Sequence, residues 1–312
     1  MKINPIIFKE LIKRGYSVHK KTRVWDISDS KLWYLTPELS KGFLNLFKHE
    51  PYRKSVVDKE LSLLKSHTHS IVKMFGEKKF NLIDLGCGGG LKTAAFIKSL
   101  PKDVQLRYCP VDISGYFINK SVKKVKELKS KNIVGHKPFV SDFEDFDDIV
   151  GILRGGDYQK NLVLLLGETL SHYDINDFLF KISENMFNGD FIVIGNGIRK
   201  GKRFVSIDKY KSPLFNEWFI HVIKGLGLND SEVDYSARFA HGRLEGYYKI
   251  NVNKTVKHKG KTVKFRKGDE IVVGIQYKFF ENELKRFCKM YFSDVKLFTD
   301  RTGEYSLVLC KK

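Results

Sequence analysis

The sequence contains few cysteines and no motif that would link them. The four cysteines are scattered, at positions 87, 109, 288 and 310. Because no two of them form a C-x-x-C pair, neither a zinc knuckle nor a disulfide framework is indicated. The apolar run Pro5–Phe8 is too short for a signal-peptide core or a membrane span. These features predict a protein of a reducing compartment without a membrane segment, and we expect it in the cytoplasm.

Two other common signatures are missing. The chain has no G-x-x-x-x-G-K-[ST] loop, so nothing indicates a nucleoside triphosphate as ligand. Its histidines show no spacing with carboxylates that is typical of metal ligands, and we therefore expect no bound metal ion.

The chain carries a large excess of positive charge. Its 56 Lys and Arg residues against 36 Asp and Glu residues give a formal net charge of +20. Such a surplus is typical of proteins that bind nucleic acid or anionic surfaces, but also of a lysine-rich proteome. The basic residues are spread over 120–131, 199–203 and 254–267, without a long uninterrupted tract or an aromatic RNA-binding motif. A nucleic-acid partner therefore stays an alternative that the sequence does not favour.

The most informative segment is a strand that runs into a glycine-rich turn. Residues Phe80–Leu85 are mostly apolar, as in a buried parallel strand, and Gly86–Gly90 follow before a predicted helix from Leu91. A second strand, Gln105–Val111, ends at Asp112, where a carboxylate suits the two hydroxyls of a ribose. The loop D-L-G-C-G-G-G brings no basic residue for a phosphate. The pattern therefore predicts a site for S-adenosylmethionine (SAM) rather than for NADP.

Strand-like and helix-like segments alternate through the middle of the chain. Such alternation predicts an α/β fold, here a Rossmann-like parallel sheet with helices on both faces. Residues 162–166 are continuously apolar, as a central strand buried on both faces should be. The predicted order is strand 80–85, helix from 91, strand 105–112, helix 116–128, strand 133–140, strand 162–166, helix 175–187 and strand 191–194.

Two regions depart from this alternation. The N-terminal arm, about residues 1–66, is rich in aromatic residues. The late insertion, 196 to about 279, contains three segments, 243–250, 261–265 and 270–279, that predict an antiparallel meander. A helix at 282–290 and strands at 295–299 and 305–310 then return to the first pattern.

We therefore predict two lobes, each made of two stretches of the chain. Residues 67–195 and 281–312 form the SAM-binding domain, and residues 1–66 and 196–280 form a discontinuous substrate-binding lobe. An insertion beside the carboxyl ends of parallel strands is where a substrate lid is expected.

Several motifs, in order along the chain, carry a family resemblance. They are D-L-G-C-G-G-G-L-K-T at 84–93, Y-C-P-V-D-I-S at 108–114, L-G-E-T-L-S-H at 166–172, F-N at 215–216, R-L-E at 243–245 and G-D-E-I-V-V-G-I-Q-Y-K-F at 268–279. With these motifs the chain resembles the histidine-specific, SAM-dependent methyltransferases, typified by the ergothioneine-pathway histidine Nα-methyltransferase. The resemblance implies a class I methyltransferase sheet that binds SAM and a second lobe that holds an amino acid for methylation at its α-amine.

Cofactor contacts are expected at the glycine loop and at the strand ends. Asp142 follows the third strand and is expected near the adenine, unless it is only the N-cap of the next helix. Gly167 and Thr169 end the fourth strand and are expected beside the methyl group. The predicted cofactor set is Gly86, Gly88, Lys92, Asp112, Ser114, Asp142, Phe143, Gly167 and Thr169.

The acceptor site is where the chain departs from the family pattern. Where the family motif L-G-S-T-I-G-N ends in an asparagine that anchors the amino acid, this chain has His172. Where T-E-x-S-x-K-F offers a carboxylate and a hydroxyl to the imidazole, it has Gly274 and Gln276. Losing buried hydrogen-bond partners changes discrimination by orders of magnitude, so we predict a small amino-acid-like amine other than histidine. The candidate acceptor residues are Tyr34, Asn196, Tyr210 and Gln276.

His172 and Glu168 are the predicted catalytic residues. Methyl transfer depends mainly on alignment, but an amine must arrive unprotonated, and a histidine with a pKa near ~6.5 is a suitable proton acceptor. His172 could instead cap the helix that starts near Asp174, and Glu168 could face the substrate amine or solvent. We also expect Glu245 and Lys278 to pair across the meander.

Two other functions stay open from the sequence. One is methyl transfer to RNA or protein, and the other is SAM binding without catalysis. The oligomeric state is not indicated.

Overall fold

The computed structural model describes residues 3–142, 146–200 and 207–312, and the chain divides into two compact units. Within the described residues, unit 1 comprises 3–46 and 207–277, and unit 2 comprises 47–142, 146–200 and 278–312. The first boundary between the units lies at residues 46 and 47, earlier in the chain than the predicted boundary at residue 66. Helix α4 (Asp58–Phe75) belongs to unit 2, because its apolar face joins the core of that unit.

Unit 2 is built on a mixed, mostly parallel sheet. The strand order is β15-β16-β8-β7-β3-β4-β5, with β14 added to β8 and β6 added to β4. Strands β5, β4, β3, β7 and β8 are parallel to one another, whereas β16 lies antiparallel between β8 and β15. The strands are β3 (Lys79–Leu85), β4 (Gln105–Asp112), β5 (Ile133–His136), β6 (Phe139–Val140), β7 (Asn161–Leu165), β8 (Phe191–Arg199), β14 (Phe279–Phe280), β15 (Asp294–Thr299) and β16 (Tyr305–Lys311).

Helices cover both faces of this sheet, which confirms the predicted α/β class. Leu82 and Leu164 face a cluster that includes Leu64 of α4 and Phe96 of α5. Asn81, on the opposite face, donates to the carbonyl of Leu153 at the end of α7. The helices are α3 (Glu50–Tyr52), α4 (Asp58–Phe75), α5 (Leu91–Lys98), α6 (Gly115–Lys126), α7 (Phe146–Leu153), α8 (Ile175–Asn185) and α10 (Glu281–Tyr291).

Chain order reverses at β3, which pairs with β4 on one side and β7 on the other. In open α/β sheets, ligands bind outside the carboxyl ends of the strands at such a reversal. The turns after β3 and β7 therefore border the expected ligand position.

Unit 1 contains a five-stranded sheet of order β1-β2-β13-β10-β9 and a separate hairpin of β11 and β12. Strand β2 of the N-terminal arm pairs in parallel with β13, and the Trp33 Nε1–H donates to the Val273 carbonyl at 2.6 Å. Residues 3–46 of the N-terminal arm are thus an integral part of unit 1. Its elements are α1 (Pro5–Arg14), β1 (Ser17–His19), β2 (Thr22–Asp26), α2 (Pro37–Lys48), α9 (Pro213–Gly225), β9 (Val233–Ala240), β10 (Arg243–Ile250), β11 (Lys254–His258), β12 (Lys261–Phe265) and β13 (Glu270–Gln276).

The predicted meander of 243–250, 261–265 and 270–279 is wrong. Strand β10 pairs directly with β13, and β12 pairs with β11 in the hairpin. Strand β13 ends at Gln276, and residues 279–280 form β14 in unit 2. Alternation alone identified the strands, but it could not say which of them are neighbours.

Candidate active site

The loop after β3 is held by glycine conformations. Gly86, Gly88 and Gly90 all have positive φ, at 75°, 50° and 72°. A Cβ at Gly88 would enter open space, whereas a Cβ at Gly90 would lie 2.5 Å from the Ser121 Oγ of α6. Gly90 therefore allows α6 to pack closely against this loop. The loop leaves its backbone free to lie against a ligand.

Asp112 ends β4 as a buried carboxylate beside this loop. Its Oδ2 accepts the Gly88 N–H at 3.0 Å, and its Oδ1 accepts the Ser114 N–H at 2.9 Å. Burial raises the pKa of Asp112 to about 6, although both backbone N–H groups act in the opposite direction. Oδ2 also lies 4.0 Å from the Cys87 Sγ, whereas Oδ1, with two lone pairs, retains capacity for a ribose hydroxyl. Ser114 contributes its backbone to this arrangement.

The acidic residue after the third strand lies near Asp112 along the sheet edge. The Ser141 N–H donates to the Asp112 carbonyl at 3.1 Å, and Asp142 follows directly and is partly buried. Phe143, the other predicted contact, lies outside the described residues. Asp142 thus lies at the same sheet edge as Asp112, and its contact with the adenine stays a prediction.

The turn after β7 holds one non-glycine residue, Glu168, in a left-handed backbone conformation. Gly167 and Glu168 both have positive φ, at 83° and 64°, and Thr169 then begins a short 3-10 helix that ends at His172. A positive φ at a non-glycine residue is uncommon and marks a functional candidate. The cap of α8 is Asp174 itself, whose carboxylate accepts the N–H groups of 176 and 177. The suggestion that His172 caps this helix is therefore wrong.

Glu168 is buried in an ion pair. Lys278 Nζ lies 3.0 Å from Glu168 Oε1, and the side chains are 12% and 7% exposed. Glu245 of unit 1 instead accepts from Arg238 at 2.9 Å and from Arg243 at 3.0 Å. The predicted Glu245–Lys278 pair is wrong, because each residue has a different partner.

Lys92, a predicted cofactor residue, is paired with a residue that the sequence did not single out. Its ammonium forms an ion pair with the fully buried Glu60 of α4 and lies 5.4 Å from the centroid of the Phe47 ring. Glu60 Oε1 also accepts the Gly167 N–H at 3.0 Å. The one available signal was Gly195 inside β8, since a glycine within a strand often marks close approach of another group.

Strand β8 carries the G-N-G segment 195–197 next to these carboxylates. A Cβ at Gly195 would overlap the Glu60 carboxylate, and a Cβ at Gly197 would overlap that of Glu168. Asn196 is buried, and its Nδ2 donates to the Gly197 carbonyl at 2.8 Å. The two glycines therefore make room for two buried acids, while the role of Asn196 in acceptor binding stays a prediction.

The remaining acceptor candidates lie in unit 1. The Tyr210 hydroxyl donates to Gln276 Oε1 at 2.6 Å, so the structure brings these two together. Tyr34 lies in an aromatic cluster, 5.8 Å from the ring of Trp218. Trp218 stacks on Phe219 at 4.5 Å. The cluster gives Tyr34 a packing role besides the predicted one.

Within the part of the chain that the structure describes, no helix is both long and apolar enough to cross a membrane. In the same residues, no group of three or more His, Cys, Asp or Glu side chains is arranged to hold a metal ion.

The fold, with the glycine-rich loop after β3, is that of a class I methyltransferase. The family described as "Histidine-specific methyltransferase, SAM-dependent" matches residues 43–312, and the chain belongs to this family. The chain is therefore a SAM-dependent methyltransferase, and its cofactor is SAM. The open glycine loop and the buried Asp112 carboxylate are suited to that cofactor.

Solved structures with a related arrangement include several methyltransferases. A SAM-dependent methyltransferase from Clostridium acetobutylicum aligns over 87% of this chain and 98% of its own, with 12% identity and a TM-score of 0.45. The 1,6-didemethyltoxoflavin-N1-methyltransferase of Burkholderia thailandensis covers 88% and 87%, with 11% identity and a TM-score of 0.41. PigF with S-adenosylhomocysteine covers 91% and 62%, with 12% identity and a TM-score of 0.48. No curated protein matches the chain.

Proposed function

We propose that this methyltransferase acts on the amine of a small, amino-acid-like metabolite and that histidine is a poor acceptor. The observation that carries the proposal is the packing of Phe219 over Gly274. A Cβ at residue 274 would lie 2.6 Å from the Phe219 Cζ. By resemblance, this is the position of the carboxylate that reads an imidazole. The ring fills that space, so a histidine side chain would lack its partner.

The environment of Gln276 also supports an acceptor other than histidine. Its Oε1 accepts the Tyr210 hydroxyl, and the side chain is buried. An amide side chain carries both donor and acceptor atoms and no charge. A neutral polar substrate group suits this pair better than a charged imidazolium.

SAM supplies a methyl group on a positively charged sulfur, and the protein mainly has to align the nucleophile with it. In our proposal, Asp112 holds the ribose hydroxyls, and the backbone at Gly86 and Gly88 lies against the cofactor. Because Lys278 already neutralises Glu168, the carboxylate of Glu168 is poorly suited to be the proton acceptor. His172, partly buried at the end of the same turn, is the better candidate to take the amine proton.

The test is a transfer assay with methyl-labelled SAM and a panel of amino acids, other primary amines and RNA. We expect label in a small amine and little in histidine. The matched control is Asp112→Asn, which should abolish labelling while the protein remains folded by circular dichroism. Efficient labelling of histidine by the unmodified chain would contradict the proposed specificity.

The role of His172 is tested once an acceptor is in hand. His172→Gln should lower kcat by about 10²-fold or more, as expected for a lost general base, and leave SAM binding unchanged. Raising the pH should partly restore the rate, because more of the free amine is then unprotonated. An unchanged kcat would exclude His172 as the proton acceptor.

A second candidate function, methyl transfer to RNA, is favoured by one observation. One side of the β11–β12 hairpin is apolar and buried, at Val256, Val263 and Phe265. Its exposed residues include Lys257, Lys259, Lys261, Lys264, Arg266 and Lys267. If this surface binds RNA, affinity should fall steeply with salt, and Lys257→Glu with Lys264→Glu should reduce it. If no RNA binding is detected at low salt, methyl transfer to RNA is excluded as the function.

A further inference from the structure

We propose that Glu60 is a positioning residue of the cofactor site, acting through the turn after β7. The inference rests on the SAM-dependent activity and is independent of which acceptor is methylated. Glu60 lies on α4, outside every motif that carries the family resemblance, and its side chain is fully buried.

The two oxygens of Glu60 have different partners. Oε1 accepts the Gly167 N–H at 3.0 Å, and Oε2 forms the ion pair with Lys92. Gly167 belongs to the turn after β7, and Lys92 lies in the first turn of α5, which follows the glycine loop of β3. One carboxylate thus links the turns at the ends of two adjacent parallel strands.

The packing around this carboxylate is specific. Gly195 has no side chain where Glu60 lies, and a Cβ at Gly167 would be 2.8 Å from Lys92 Nζ. Burial together with the charges of Glu60 and Glu168 raises the pKa of the nearby Tyr305 well above its usual value. A buried carboxylate is costly unless it is paired and hydrogen-bonded, and Glu60 meets both conditions here.

The Gly167 turn needs such an anchor. Glu168, the residue after Gly167, has a φ of 64°, and a non-glycine residue keeps such a conformation only where the surroundings hold it. Since the turn borders the reversal of strand order at β3, its displacement would widen the edge where SAM binds. The hydrogen bond to Gly167, more than the charge on Lys92, is therefore the contribution of Glu60 to cofactor binding.

Two double variants of the full-length chain separate the hydrogen bond from the charge. E60Q/K92M keeps a side-chain oxygen for the Gly167 N–H, whereas E60M/K92M does not, and both lack the ion pair. We expect E60Q/K92M to bind SAM about fivefold to tenfold more tightly than E60M/K92M does, because the two variants differ by one hydrogen bond. Titration calorimetry measures the affinities, and the two variants should have similar Tm. Equal SAM affinity in the two folded variants would overturn the proposal.

Two single variants keep the test decisive if a double variant does not fold. E60D keeps the charge but withdraws the carboxylate by about 1.5 Å, one carbon–carbon bond. E60Q loses the charge but keeps the reach. We expect E60D to bind SAM more weakly than E60Q, whereas a purely charge-balancing Glu60 predicts the reverse order. D58N, at an exposed carboxylate of the same helix, is the control and should leave SAM affinity unchanged.

Discussion

The Phe219 ring occupies the space that a side chain at Gly274 would need, with Cζ 2.6 Å from an ideal Cβ. Gly274 lies in β13, where any other residue would meet a buried aromatic ring. Under the proposed function, position 274 therefore links the stability of the protein to its choice of acceptor.

Adding a methyl group at residue 274 should destabilise the protein. We expect Gly274→Ala to lower the unfolding free energy by about 1–3 kcal/mol, the usual cost of overpacking. Gly151→Ala is the matched control, because its Cβ would enter open space on an exposed part of α7. That control should be neutral or stabilising by about 0.5–1 kcal/mol. Chemical denaturation measures both, and equal effects would show that Phe219 moves aside freely.

Histidine methylation should require three substitutions together. Gly274→Glu and Gln276→Ser supply the imidazole partners that the family pattern has, and Phe219→Ala makes room for them. We expect histidine turnover in the triple variant and little in the Gly274→Glu/Gln276→Ser double variant, measured by transfer of labelled methyl. Equal turnover in both would mean that Phe219 does not block the pocket.

SAM affinity should depend on pH through Asp112. Burial raises the pKa of this carboxyl to about 6, so lowering the pH through about 6 protonates it and should weaken the hydrogen bonds that we propose it makes with the ribose. Asp112→Asn should bind SAM weakly at every pH, since each charge-assisted hydrogen bond contributes about 1.5–3 kcal/mol. Asp84→Asn is the control: burial raises the pKa of Asp84 also to about 6, but its carboxylate accepts from Thr93 and Tyr108. A pH dependence that survives Asp112→Asn would exclude Asp112 as its cause.

The same raised pKa affects stability with the opposite sign. The folded protein binds the Asp112 proton more tightly than the unfolded chain, whose carboxyl titrates near ~3.9. The contribution of this group to the unfolding free energy is thus largest below about pH 4 and is lost as the pH rises to about 6. In denaturation curves at a series of pH values, Asp112→Asn should show a smaller loss of stability over this interval than the unmodified chain.

Breaking the Glu168–Lys278 pair should be costly. Lys278→Met leaves a buried carboxylate without its cation and should destabilise the protein by about 3–5 kcal/mol. Glu168→Gln combined with Lys278→Met should recover much of this loss, because no uncompensated charge then remains. Lys285→Met, at an exposed lysine of α10, is the control and should have little effect. A mild single variant would mean that Lys278 contributes little to holding the turn after β7.

Removing the N-terminal arm should disrupt unit 1 as a whole. Deletion of residues 1–46 removes β2, which exposes the hydrogen-bonding edge of β13, and we expect aggregation by size-exclusion chromatography. Trp33→Phe is the milder test: it loses one hydrogen bond to Val273 and should cost about 1–2 kcal/mol while SAM affinity is retained. A monomeric, fully stable truncated chain would contradict the integral role of the arm.

Sequence reasoning succeeded where the signal was local. The apolar run at 162–166 and the glycines after Leu85 gave the central strands, the loop and the fold class, because burial on both faces leaves a continuous apolar pattern. The resemblance also pointed to Tyr210 and Gln276. The structure joins these two side chains by a hydrogen bond, and their part in acceptor binding stays a prediction.

What escaped prediction depends on contacts between distant parts of the chain. The parallel pairing of Trp25 with Ile271 joins segments that periodicity cannot relate. The same holds for Glu60, whose position in an ordinary helical pattern gives no sign that its carboxylate reaches Gly167. The Glu245–Lys278 prediction failed because a strand register was assumed where none exists.

The two glycines of β8 that face buried carboxylates restrict how this sequence can change. The Glu60 carboxylate fills the space that a side chain at Gly195 would need, and the Glu168 carboxylate does the same at Gly197. A sequence that acquires a larger residue at 195 must first lose or shorten the acid at 60, and one that enlarges 197 must relocate the acid at 168. Among related chains, each glycine and its carboxylate should therefore be gained and lost in pairs.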